Sequence, residues 1–475
     1  MFTMPHKKNI LKSLLLQYQK EKRSMVKVSL SQLSIVICSV IIASLVLSNK
    51  HWRNDDKIIS NDVISYYGYL PAIFIYQDAS LAYWDRMYPS VKQKIWFKNT
   101  KNDGRVFIKT IGVSYFYMPF FVLAHQLSNQ FGYLNNGYTK PYRLAIVLSS
   151  FLFYILGLVF VRKILLNYFN ENVTAITILI VSIGTNIVNY VVHEPGMSHV
   201  FSFFSIAVFF YYAIKWHQVQ SSKYLFILGV MTGLIILIQP INITVLLFFL
   251  FMGIRSFPEF KQRLRLFVNN YKQVIYAILG CLLVIIPQLL YWKYNTGDWF
   301  FCLNPEESYF FHDSKLLNGL FGFRKGWLIY TPLMSLAMIG LFLRNDIIQK
   351  YKSTLLLFLT IHLYITFSWW CWWYGGSFGM RALIDIYPLL IIPIGVLVNY
   401  ILKLSYKIKV PFLVLIALLV GLNFFQNEQY IKGSLHYDSM TFQAFTKSFG
   451  TLNVDNEYYE LLVKPDYEKA IKGER

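Results

Sequence analysis

Eleven apolar stretches recur along the chain, separated by short polar segments. They cover residues 28–48, 144–161, 175–192, 201–214, 224–238, 241–254, 274–292, 327–343, 355–370, 382–402 and 410–425. The longer ones match the ~20 residues an α-helix needs to cross a bilayer. None alternates with period two, and each is apolar nearly all round, as expected of a helix in a nonpolar surrounding. The pattern predicts an all-α polytopic membrane protein with about eleven transmembrane helices. Between the first two stretches lies a longer region, residues 50–140. There VISYYGYLPAIFIY (63–76) and VSYFYMPFFVLAHQL (113–127) are apolar but interrupted by polar groups. They read as helices lying in the interface, within a long first outer loop. A full span over 112–127 is the competing reading, and it would invert all later topology.

Charge decides between these. Residues 1–27 carry seven Lys and Arg against one acid, Glu21. The basic residues that follow cluster at Arg162–Lys163, Lys215–Lys223, Arg255–Lys272, Arg344–Lys352 and Lys403–Lys409. With 50–140 outside, all of these fall on one side, the arrangement that fixes a cytoplasmic face. The expected division is a cytoplasmic basic N-terminus (1–27), a transmembrane module (28–426) and an extracytoplasmic tail (427–475). The expected location is the cell (inner) membrane, N-terminus in and C-terminus out. The net charge of +21 is then explained by orientation and by anionic membrane lipid, not nucleic acid. The 18% aromatic content suits interfacial belts. Four cysteines form no spaced framework; Cys302 and Cys371 fall in outer loops, where a pair is conceivable. The first stretch is long enough to stay as an anchor, and residues 1–27 are too polar for a cleavable signal.

The unusual polar residues fall on the predicted outer face. Asp62 lies about a dozen residues after the first span. A carboxylate near low dielectric is more basic than one in water, which suits a general base; the blander role is a solvated loop acid. His193-Glu194-Pro195-Gly196-Met197-Ser198-His199 holds two His and an acid, but Pro-Gly breaks the helical spacing of H-E-x-x-H. It reads as a functional outer turn, with Glu194 a second carboxylate or an acceptor contact. Trp369 to Arg381 combines aromatic residues, a diglycine and an Arg at the mouth of a span, where a lipid phosphate is a natural partner. Arg324 and Lys325 in FGFRKGW follow the same logic, and Lys109 is a further phosphate candidate. Tyr66, Tyr67, His193 and His199 complete the set as acceptor or sugar contacts. Gly229, Gly233 and Gly280 are expected to pack helices. No Walker loop, G-x-S-x-G, G-x-G-x-x-G or Cys-rich metal pattern occurs.

In order along the chain, these motifs resemble the GT-C class of integral-membrane glycosyltransferases. The likeness is to bacterial relatives of the dolichyl-phosphate-mannose protein mannosyltransferase and aminoarabinose-transferase group (glycosyltransferase family 39-like). It rests on Asp62 with YYGYLPA, on Lys109, Gly112 and Pro119–Phe121, on Glu194 in its turn, on RKGWLIYTP, and on WWYGGSFGMR before Tyr387-Pro388. Relatives often carry Arg-Pro where this chain has Gln239-Pro240. The resemblance implies a polyprenyl-phosphate sugar donor, transfer with inversion, and a glycan, lipid or protein acceptor. It implies Asp62 as base, Arg381 with Lys325 or Arg324 on the lipid phosphate, and Glu194 positioning acceptor or sugar. No cofactor is required, and a divalent metal is permitted but not needed. Competing readings are an O-antigen ligase or polymerase, which leads with Arg and His, and a lipid-linked sugar flippase or transporter, which needs charges inside the spans.

Overall fold

A computed structural model describes residues 28–100, 104–302 and 306–475; the basic N-terminus 1–27 lies outside them. The main helices are α1 (Leu30–Asn49), α2 (Asp62–Phe74), α3 (Ser114–Ser128), α4 (Lys140–Leu165), α5 (Glu171–Ile183), α6 (His199–Val219), α7 (Ser222–Ile238), α8 (Tyr271–Thr296), α9 (Asp346–Ser368), α10 (Tyr387–Leu402) and α11 (Tyr406–Lys432). One hairpin, Phe97–Asn99 with Arg105–Phe107, pairs antiparallel.

Every predicted apolar stretch falls on helix. Among the described residues, six helical segments are long and apolar enough to cross a membrane: Leu30–Arg53, Lys140–Leu165, His199–Val219, Tyr271–Thr296, Arg381–Leu402 and Tyr406–Lys432. The other stretches are shorter or broken, for local reasons. The stretch 175–192 breaks after α5 at Gly184, and Asn423 of α11 donates to the freed carbonyls of Ile183 and Thr185. A side chain from a neighbouring helix thus satisfies backbone groups that hydrocarbon could not. The stretch 327–343 breaks at Thr331, whose φ of −139° is non-helical. Pro332 follows it, and proline drives its predecessor out of the helical region. Polar caps set several helix starts: Ser29 forms a capping box with Gln32, and Asn170 accepts from the N–H of Val173.

The two expected interfacial segments are both helices, α2 and α3. α3 has one face packed, at Ser114, Tyr117, Phe121, Ala124 and Ser128, and the other free, at Met118, Leu123 and Leu127; α2 does not. Val63 to Ala72 of α2 are all buried, because the helix is enclosed by α3, the Gly196 turn and the 97–107 hairpin. α3 spans 15 residues, short of the ~20 a crossing needs. The tail is a small cap: Leu435, Met440, Ala444 and Tyr458 join Tyr330 and Phe378 in one cluster, and Ala470 packs on Cys371, Trp372 and Trp373 in another. Those two tryptophans are the floor under the cap. All four cysteines are free, Cys302 exposed and Cys371 buried, so the conceivable pair is not formed.

The expected glycine packing is present between α7 and α8. A Cβ on Gly229 would collide with the Ala277 carbonyl, and one on Gly280 with that of Phe226. Gly229→Val is expected to destabilise the protein by about 1–3 kcal/mol through overpacking. A fluorescence melting curve in detergent checks this, and an unchanged midpoint would contradict the close approach.

Candidate active site

Asp62 begins α2, and the residue before it does the aiming. Asn61 has φ of 51° and ψ of −137°, a positive-φ turn conformation outside the left-handed helical region. The turn delivers Asp62 to the first turn of a helix, where the N–H groups favour negative charge. Directly behind it, the 193–199 turn packs on α2 so closely that a Cβ on Gly196 would lie 2.5 Å from Cγ1 of Val63. Tyr117 of α3 donates its hydroxyl to the Gly196 carbonyl. The Pro-Gly of this turn thus serves close approach rather than metal spacing.

Lys109 arrives from the other side. Tyr69 of α2 donates to the Lys109 carbonyl at 2.8 Å. The N–H of Ile111 donates to Gln288 at 2.7 Å. Gly112 sits against the backbone of Leu237, where a Cβ would approach its carbonyl carbon to 2.5 Å. The spacing of Lys109 and Gly112 is therefore a docking device: the glycine lets the turn reach α7, and the lysine then faces α2.

Arg381 closes the third side, at the start of the short helix Arg381–Ile386. Its Nη2 lies 3.7 Å from Oδ2 of Asp62, and Nζ of Lys109 lies 3.5 Å from Oδ1. The three residues together span more than 300 positions of the sequence and form one cation–anion–cation cluster, with Asp62 still 31% exposed. Four residues beyond Arg381, Asp385 is buried and accepts from Asn242 at 2.6 Å, with Nδ1 of His199 2.9 Å away. This network anchors the segment that carries Arg381 to α6 and to the Gln239-Pro240 turn.

Asp62 and Arg381, but not Lys109, line a cavity of about 910 Å³ together with His193, Glu194, Tyr430, His436, Tyr437 and Tyr459. Four segments expected on one face meet here: 51–62, 193–197, 376–381 and 430–459. Three of the basic loops expected on the opposite face meet around a second cavity, at His217, Arg263 and Lys350. Glu194 accepts from Asn189 and from the Tyr430 hydroxyl, each at 3.2 Å. His193 stands 3.0 Å from Nε2 of His51, nitrogen to nitrogen. Burial, with His51 and Lys57 adding, pushes His193 down to about 4, so it faces the cavity uncharged at neutral pH.

Burial pushes Asp62 up, but Lys109 and Arg381 outweigh it and hold the carboxyl below its usual value. This reverses the expectation of a carboxylate made more basic by low dielectric. The two cations were foreseen as phosphate ligands but not as partners of the acid. Burial likewise lowers Lys109, and Asp62 together with Tyr66 more than restores it.

Other expected site residues stand elsewhere. Arg324 donates to the Asp438 carbonyl at 2.8 Å and lies over the Trp373 ring; it holds the tail cap and does not border the Asp62 cavity. Lys325 is buried and donates to the carbonyls of Ser377 and Tyr437, so it supports the cavity wall from behind. Tyr67 donates to the Gly137 carbonyl inside an aromatic cluster with Tyr117, Phe121 and Tyr138. Tyr66 is buried beneath the site, within reach of Ser198. His199 is buried against Asp385. None of these three lines the cavity. Among the described residues no group of three His, Cys, Asp or Glu is placed to hold a metal ion. The sequence reading missed His51, Tyr430, His436, Tyr437 and Tyr459; the last four lie at or beyond the end of the final apolar stretch, where no motif marks them.

No family model matches the chain, and no curated protein matches it. Among solved structures it is similar to the Archaeoglobus fulgidus oligosaccharyltransferase in the apo form, with a TM-score of 0.48 and 15% identity over 92% of this chain and 60% of that one. It is also similar to archaeal oligosaccharyltransferase AglB from Archaeoglobus fulgidus in complex with an inhibitory peptide and a dolichol-phosphate, with a TM-score of 0.47 and 13% identity over 90% of this chain and 57% of that one. The chain spans about 60% of the length of the first of these.

Lys325 generates a pH prediction. Burial first, and then the neighbouring Arg381, lower it to about 7, against roughly 10.4 for a free lysine. The unfolded chain therefore binds more protons between these values, and stability rises with pH across that window. In Lys325→Met this rise is expected to disappear. Melting midpoints of both proteins from pH 6 to pH 10 check it; parallel curves would contradict the assignment.

Proposed function

We propose that this protein is a membrane glycosyltransferase that moves a sugar from a polyprenyl-phosphate donor to an acceptor hydroxyl at the extracytoplasmic surface. The chain then crosses the membrane about eleven times, as a GT-C-type enzyme does. The observation that carries the reading is the Asp62 carboxylate set between Lys109 and Arg381 at the mouth of a large cavity. Few reactions use one acid and two cations together at a membrane surface. Transfer of a sugar from a lipid phosphate is one of them.

The donor is a phosphodiester with one negative charge at its bridging phosphate. Lys109 and Arg381 bind that phosphate, and Arg381 offers its planar fork to two oxygens. The acceptor oxygen attacks the anomeric carbon from the face opposite the phosphate. A new C–O bond forms, the bond to the phosphate oxygen breaks, and its electron pair leaves with the phosphate, which needs no general acid. The second negative charge that develops there falls on the same two cations. The acceptor proton goes to Asp62, and a single displacement inverts the anomeric centre.

The lowered basicity of Asp62 fits this order of events. In the free enzyme the cations hold the carboxylate ionised and weakly basic. Once the phosphate occupies them, its negative charge opposes theirs at Asp62 and restores basicity. The base is then activated by the donor, so the carboxylate gains strength only when a sugar is in place. Glu194, fixed by Asn189 and Tyr430, holds a second carboxylate in the same cavity for sugar or acceptor hydroxyls.

Transfer by the purified protein from a lipid-phosphate sugar to endogenous acceptor is the direct test. Asp62→Asn is expected to lower turnover by about 10²–10⁴, the usual worth of a positioned base. Arg381→Ala is expected to cost about 10²–10³ through lost charge stabilisation. Full activity in Asp62→Asn would remove the acid from the reaction, and unchanged activity in Arg381→Ala would remove the phosphate clamp.

A further inference from the structure

The cavity has a wall that the reaction above does not use. It is built from the tail: Gly433, Leu435, His436, Tyr437 and Tyr459 border the same space as Asp62 and Arg381. Tyr437 is 50% exposed and Tyr459 55% exposed, whereas the neighbouring Tyr458 is buried. Exposed tyrosines inside a cavity leave apolar surface uncovered, which asks for a ligand.

Tyr437 is also unusually well fixed. Its carbonyl accepts from buried Lys325 and from the N–H of Ser377 at 3.2 Å. Its ring stacks on His436 with centroids 4.2 Å apart and planes at 29°. On another side it lies over Gly376, where a Cβ would come within 3.0 Å of Cδ2. The diglycine thus has a specific purpose: Gly375 turns the chain at φ of +65°, and Gly376 makes room for this ring. A half-open aromatic ring held by backbone and side-chain contacts is a preorganised platform, whose ordering cost is met before any ligand arrives.

We propose that Tyr437, with Tyr459, is a platform for a pyranose ring, and that the acceptor is therefore a glycan. The word acceptor rests on the transfer reading above; the saccharide site itself does not. A pyranose ring presents an apolar face of C–H groups with partial positive charge, which complements the negative face of an aromatic ring. Its rim carries hydroxyls that donate to carboxylates and amides. The cavity offers both kinds of surface, with Asp56, Asn61 and Glu194 beside the tyrosines. At about 910 Å³ it sits at the upper end of the ~300–1,000 Å³ of small-molecule sites, roomy enough for a donor sugar and an acceptor sugar together. An extended peptide would ask for unpaired main-chain groups. The Tyr437 carbonyl is already engaged, and no strand borders the cavity among the described residues. The platform replaces Tyr66, Tyr67 and His199, which are buried, as the sugar-contacting set.

The test reads binding without donor, by saturation-transfer difference NMR on the full chain in nanodiscs. The probes are a panel of hexose and N-acetylhexosamine disaccharides, with a mixture of octapeptides as the comparison. Saturation of pyranose ring protons is expected in the wild type. It should fall at least fivefold in Tyr437→Leu and in Tyr459→Leu, the latter an exposed position whose replacement leaves the fold intact. Gly376→Ala should weaken it too, by displacing the Tyr437 ring. Tyr406→Leu, an exposed tyrosine at the far end of α11, should leave it unchanged. A saccharide signal no stronger than the peptide signal would overturn the proposal, as would one that survives both tyrosine substitutions. Because no donor is present, failure here leaves the role of Asp62 standing. Full transfer activity in Asp62→Asn would leave the saccharide platform standing in turn.

Discussion

A single carboxylate shared by two cations organises this protein. Asp62 is within 3.5 Å of Lys109 and 3.7 Å of Arg381, at the edge of a helical bundle where unpaired charge is costly. Each ion alone would be a liability there, and together they are tolerable. Their proximity fixes three chain segments with respect to one another: the start of α2, the 109–113 turn and the segment before α10. Much of the surrounding detail serves that convergence. Gly112 lets one turn reach α7, Gly196 lets another lie against Val63, and Asp385 pins the Arg381 segment to His199 and Asn242.

In the proposed reaction the same cluster links structure to chemistry through charge alone: two cations hold an ionised carboxylate, and an incoming phosphate competes for them. The second carboxylate, Glu194, is tied into hydrogen bonds with Asn189 and Tyr430 instead, so the two acids occupy different electrostatic settings within one cavity. The tail supplies the remaining wall and is held by a different set of contacts, from Arg324, Lys325 and Arg475. The Asp62 ion cluster and this wall of the cavity are therefore built from separate parts of the chain.

Hydropathy alone located every long helix, because a run apolar on all sides has few alternatives to helix. It also brought the unusual polar residues to one face, since basic loops mark the other. Asp62, Lys109, Glu194 and Arg381 were legible as residue types at the mouths of apolar runs. Their mutual contacts were not, because an ion pair across 319 positions, from Asp62 to Arg381, leaves no local spacing. The direction of the Asp62 shift was misjudged for that reason: burial is visible in a sequence, and its compensation is not. Arg324 and Lys325 were placed on phosphate because cations near hydrocarbon need partners, and their actual partners are carbonyls of the tail cap and its neighbouring loop. The tail's tyrosines carried no signal at all. A soluble-looking segment of mixed charge can be read as a small cap, but nothing in it marks which residues border a cavity.

The central claim is that Lys109 and Arg381 belong to Asp62 until a phosphate takes them. Direct binding of a short-chain polyprenyl monophosphate to the purified protein in nanodiscs tests it, comparing the wild type with Asp62→Asn and with Lys109→Ala/Arg381→Ala. With the carboxylate neutralised, the two cations lose their resident partner, so Asp62→Asn is predicted to bind the phosphate more tightly than the wild type while the double variant loses binding. Weaker binding in Asp62→Asn, or undiminished binding in the double variant, would contradict the account.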